Sequence, residues 1–110
     1  ALSANLTGSF NTALGNNAGA LATGSNGLYL GYQAGNLVTT GNSNIIIGAG
    51  ADVNAGARSN CIIIGNGTTS EALDNHIKIG FGGISMDACY IDGIVGKTDN
   101  GTGIPVYVAN

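Results

Sequence analysis

The sequence predicts an all-β fold: a parallel β-solenoid of about five coils, closed by a small C-terminal β cap and assembled as a homotrimer. Three observations predict it. A short motif, Asn followed by a few apolar residues and then Gly, recurs five times, with closing glycines at 15, 31, 48, 65 and 80. The copies are therefore 15 to 17 residues apart, the signature of stacked coils in which each repeat contacts its neighbours. Glycine is 20 of 110 residues and only 8% are charged, against about 25% in ordinary soluble domains. Such a chain needs a long regular ladder or a partner surface to offset its backbone entropy.

The coils follow in order. The first is Asn11-Thr12-Ala13-Leu14-Gly15 and the second is Asn26-Gly27-Leu28-Tyr29-Leu30-Gly31. The third and fourth are the near-copies Asn44-Ile45-Ile46-Ile47-Gly48 and Asn60-Cys61-Ile62-Ile63-Ile64-Gly65, and the fifth is Asn75-His76-Ile77-Lys78-Ile79-Gly80. A strand sends alternate side chains to opposite faces, so each motif has two columns on one face and one on the other. The expectation is that Leu14, Leu30, Ile47, Ile64 and Ile79, with Thr12, Leu28, Ile45, Ile62 and Ile77, form the interior. Ala13, Tyr29, Ile46, Ile63 and Lys78 then point outward. The asparagines suit turns, where they hydrogen-bond their own backbone. Small-residue halves such as Ala18-Gly19-Ala20-Leu21-Ala22 and Ala34-Gly35-Asn36-Leu37-Val38 read as a second short strand of each coil.

Residues 1–80 form the repeat head and residues 81–110 a cap or neck. The cap has apolar runs from Met86 to Val95 and from Ile104 to Val108, separated by a turn at Lys97 to Gly103. Pro105 suits an edge strand. The chain opens on Ala and reads as a fragment; no signal peptide or membrane-spanning run is visible.

In this reading Tyr29, Ile46 and Ile63 make an apolar stripe along the outside, the mark of an interface. The stripe fits a cyclic trimer, or else a dimer. Ile46→Asp should then dissociate the assembly and Ile47→Asp should unfold the coil.

The repeats, above all Asn44 to Gly48 and Asn60 to Gly65, resemble the heads of trimeric autotransporter adhesins, the YadA-like left-handed parallel β-rolls. The pieces Asn11 to Gly19 and Gly31-Tyr32-Gln33-Ala34-Gly35 resemble repeats of phage tail fibres. The stretch from Asp74 to Val108 resembles the segment before the self-cleaving chaperone domain of such fibres. The period is longer than that of the adhesin heads, and the 110 residues themselves include no chaperone domain. Similar heads cap bacterial collagen-like surface proteins, some of which bind sulfated glycosaminoglycans. The resemblance implies a secreted or cell-surface trimer that attaches to host or cell-surface glycans, glycosaminoglycans among them, or to matrix protein. The alternative is a structural segment of a virion tail fibre whose recognition lies elsewhere.

The chemistry of the side chains points the same way. Net charge is −3, and the bases are Arg58, Lys78 and Lys97 alone. No basic stripe for nucleic acid exists, nor a segment for direct membrane insertion. His76 is the single histidine and lies beside no nucleophile motif. It reads as a solvent-facing or interface residue rather than a threefold metal ligand. The six carboxylates show no catalytic pairing. No enzyme, metal or cofactor is therefore expected. Cys61 and Cys89 read as small buried side chains, with a disulfide as the alternative. The candidate ligand-binding residues are Lys78, Lys97 and Arg58, which threefold symmetry would multiply into a set for acidic glycans, together with Tyr32 as a sugar-stacking ring.

Overall fold

A computed structural model of the chain describes residues 1–67 and 74–82. Within them the chain is an all-β solenoid of about four turns, with no helix. Five strands stack in sequence order as one parallel sheet: β1 (Thr12–Leu14), β2 (Leu28–Leu30), β3 (Ile45–Ile47), β4 (Ile62–Ile64) and β5 (Ile77–Ile79). The register follows the sequence columns, with Tyr29 beside Ile46, Ile46 beside Ile63 and Ile63 beside Lys78. The cap, including Cys89 and Lys97, lies outside the described residues apart from 81 and 82.

The columns face opposite to the expected way. Tyr29, Ile46 and Ile63 are at most 1% exposed and fill the lumen of a single chain. They are core residues, which corrects their assignment to a trimer interface. The flanking columns point out: Leu14 is 72% exposed, Ile77 68% and Ile79 54%. Alternation holds, with the opposite phase. The residue four before each closing glycine also turns inward, and there stand Asn11, Gly27, Asn44, Cys61 and His76. Asn44 is fully buried. Its Nδ2 donates to the carbonyl of Arg58 at 2.7 Å, and its Oδ1 accepts the N–H of Cys61 at 3.0 Å. Asn11 repeats this two coils earlier, donating to the carbonyl of Gly24 and accepting the N–H of Gly27. These amides bridge to the next coil rather than to their own backbone, so a polar side chain occupies the interior without cost from unmet hydrogen bonds.

In the first two coils the small-residue half forms successive tight turns rather than a strand, and in the third Asp52 makes a single β-bridge. In the first coil the N–H groups of Ala18, Ala20 and Ala22 each return to a carbonyl three residues back, on Gly15, Asn17 and Gly19. Ala18, Ala22, Ala34, Val38, Ala51 and Val53 from these turns are fully buried opposite the strands. Their small volume leaves room for one large side chain per strand. That is why the middle residue of each strand goes in and its two neighbours stay out.

Left-handed backbone sets the corners. Phe10, Asn26, Ser43, Asn60 and Asn75, five before each closing glycine, all have φ near +60°. Asn tolerates this region better than most residues, which accounts for Asn26, Asn60 and Asn75; Asn11 and Asn44 serve the inward column instead. The closing glycines Gly15, Gly31, Gly48 and Gly65 sit at φ of 129 to 135°. A Cβ on Gly31 would lie 2.8 Å from the carbonyl carbon of Gly48 in the next coil.

A candidate assembly face

The outward columns build the candidate site. Pairing aligns Leu28, Ile45, Ile62 and Ile77 in one row, and Leu30, Ile47, Ile64 and Ile79 in another. Thr12 and Leu14 begin the two rows. At the usual strand spacing the rows run about 19 Å along the solenoid. Nine of the ten positions are aliphatic and none is charged. Apolar stripes of this extent mark interaction surfaces.

Ladders on either side hold the face straight. Six residues before each closing glycine stand Ser9, Ser25, Asn42, Ser59 and Asp74. The side-chain oxygens of the last four accept the backbone N–H of the same column one coil earlier, at 2.8 to 3.1 Å. After the closing glycines, the N–H groups of Gln33, Gly50, Gly67 and Gly82 donate to the carbonyls of Asn16, Tyr32, Ala49 and Asn66. The Ser/Asn/Asp column is visible in the sequence as five oxygen-bearing residues at the coil period, a signal the motif reading passed over.

The bases do not gather into one exposed set among the described residues. Arg58 lies 3.7 Å from Asp74 in an ion pair. Lys78 belongs to the inward column, below Ile63, so it does not line the outward face as expected. His76 also turns inward and is partly buried, with Nδ1 3.7 Å from the Sγ of Cys61. The sequence suggested a solvent-facing or interface residue; the ring instead packs on the inner side against Cys61. Cys61 is fully buried, as expected, and burial pushes its thiol pKa up. Tyr32 is 56% exposed, on the first residue past its closing glycine.

The third coil carries one buried carboxylate. Asp52 stands where the first two coils have Gly19 and Gly35. Its oxygens accept the N–H groups of Leu37 and Val53, both at 2.8 Å. Burial pushes its pKa up to about 6, and these backbone hydrogen bonds oppose the rise. Burial, and secondarily Asp52, pushes Tyr29 up to about 12. The ring of Tyr29 fits because Gly19, Gly27 and Gly35 surround it, each too close to carry a Cβ.

No helix among the described residues is long and apolar enough to cross a membrane, and no group of three or more metal-ligating side chains occurs among them. No family model, curated protein or solved structure matches the chain.

Proposed function

We propose that the chain is the head of a trimeric attachment protein on a cell surface or fibre, with left-handed coils docked through the outward aliphatic rows. The observation that carries this is the pair of aliphatic rows from β2 to β5 on the outside of a ladder-bonded solenoid. Two rows suit a cyclic trimer, because each chain then offers one row to each of two neighbours. Full burial of one Leu or Ile contributes roughly 1.5–3 kcal/mol, and the central strands β2 to β4 alone present six per chain. Attachment suits such a body, since weak sites repeated three times on a rigid support gain avidity. The YadA-like resemblance of the repeats supports the same reading and the coil handedness.

The alternative, a structural segment of a tail fibre, draws on the same stiffness. Binding of the assembled protein to a glycan array and to host matrix separates the two. Retention by the wild type, lost in an assembly-deficient Leu30→Asp variant with unchanged circular dichroism, supports attachment. Silence of the wild type on every surface supports the structural segment.

A further inference from the structure

The corner after the closing glycines carries Asn16, Tyr32, Ala49, Asn66 and Phe81, one per coil. Tyr32 is 56% exposed and Phe81 50%. They lie three coils apart, roughly 14 Å at the usual strand spacing. Between them the next column is stripped of side chains. It reads Asn17 and Gln33 in the first two coils, then Gly50 and Gly67. Asn17 and Gln33 have φ of 56° and 55°, so this column can carry side chains in the left-handed region. A Cβ on Gly67 would meet nothing within 4 Å, and one on Gly50 nothing closer than 3.8 Å. The surface between the rings is thus a shallow recess floored by Ala49, Gly50, Asn66 and Gly67. Its backbone is fixed by the N–H of Gly50 to Tyr32, of Gly67 to Ala49 and of Gly82 to Asn66. The Oδ1 of Asn66 accepts the N–H of Ala49 at 3.0 Å, which pins that amide in place.

We infer that this corner is a shelf for a short neutral oligosaccharide lying along the solenoid axis. Exposed aromatic rings offer an electron-rich face to the C–H-rich face of a pyranose, and a few fixed polar groups between apolar contacts set orientation. The exposed Asn66 side-chain amide, its Oδ1 fixed by Ala49, presents Nδ2 as such a group, while the N–H groups of Gly50 and Gly67 are engaged in the ladder and leave the surface between flat. None of the corner residues named is charged, and Arg58 is engaged with Asp74 elsewhere. The shelf therefore selects a neutral glycan over a sulfated one. This inference rests on the attachment reading and names the ligand class it would serve.

The test is titration calorimetry of the 110-residue chain with neutral hexasaccharides of cellulose, chitin and starch type, and with a heparin hexasaccharide, at two salt concentrations. Sedimentation of each variant runs in parallel. The expected result is salt-insensitive binding of a neutral hexasaccharide, weakened about tenfold, a difference calorimetry resolves, by Tyr32→Ala, Phe81→Ala or Gly67→Asn and kept by Tyr32→Phe. Asn tolerates the left-handed backbone, so Gly67→Asn fills the recess without unfolding the coil. Neutral-glycan binding indifferent to all of these variants overturns the shelf and leaves attachment standing. So does salt-sensitive binding of heparin alone. A trimer that binds none of the four probes overturns the shelf, and silence on the glycan array and matrix as well overturns attachment with it. A changed assembly mass in Tyr32→Ala assigns the ring to the assembly face and overturns the shelf.

Discussion

Ile45, Ile46 and Ile47 are identical residues in one strand, yet they have different fates. Ile46 is completely buried among Tyr29, Ile63 and the small residues of the turns, while Ile45 is 36% exposed and Ile47 half-buried on the outside. Residue type does not decide between them. The volume opposite the strand does. Alanines and valines pack across the lumen, so a single chain needs one isoleucine per strand to fill it. The other two lie outside the lumen, on the face proposed above for assembly. The same sequence run thus serves folding with its middle residue, and its ends are the residues the proposed assembly would cover.

The comparison breaks most sharply at its centre. Ile46→Asp places a carboxylate in the lumen and should abolish folding. The milder Ile46→Ala should cost about 2–5 kcal/mol in chemical denaturation, since the stacked coils collapse little around a cavity. Asn44→Ala comes next. It leaves the Cys61 N–H and the Arg58 carbonyl without their side-chain partner, and at about 1–3 kcal/mol per buried group the loss should approach that of Ile46→Ala.

Asp52 sharpens the contrast through pH. Its folded pKa of about 6 lies above the ordinary carboxylate value of 3.8, so the folded state holds the proton more tightly. Its contribution to stability is fully present below pH 4 and is lost as pH rises through 6. Stability of the wild type relative to Asp52→Asn should therefore increase on going from pH 7 to pH 4, by up to about 3 kcal/mol at 1.36 kcal/mol per pKa unit. A flat difference across that range contradicts the assignment. The smallest effect belongs to the outer ladder. Ser25→Ala removes the acceptor for the N–H of Ser9 at an exposed position and should cost about 0.5–1.5 kcal/mol, read from the denaturation midpoint.

Much of this fold was legible in the spacing of Gly15, Gly31, Gly48, Gly65 and Gly80, because stacked coils must place equivalent turns at equivalent positions. The parallel pairing and its register followed directly. The phase of the strands was not legible. Asn11 and Asn44 look like turn residues, and their polarity argues for the outside. Only the three-dimensional stacking shows that each amide completes the hydrogen bonds of the coil above. Once that column turns inward, Tyr29, Ile46 and Ile63 must follow it two residues later. The same misphasing placed Lys78 on the outside, and the interface residues were named from the wrong face of the right strands. Tyr32 was singled out as a stacking ring, but its partner Phe81 and the bare glycines between them become neighbours only when the coils are superposed.

The most direct test of the divided strand is sedimentation equilibrium at micromolar concentration on the wild type and Ile45→Asp, with far-ultraviolet circular dichroism of both. The account predicts the mass of three chains for the wild type and of one chain for Ile45→Asp, with the same β spectrum. A wild type with the mass of one chain, or an Ile45→Asp variant that stays trimeric, would contradict the assignment of the outer rows to assembly.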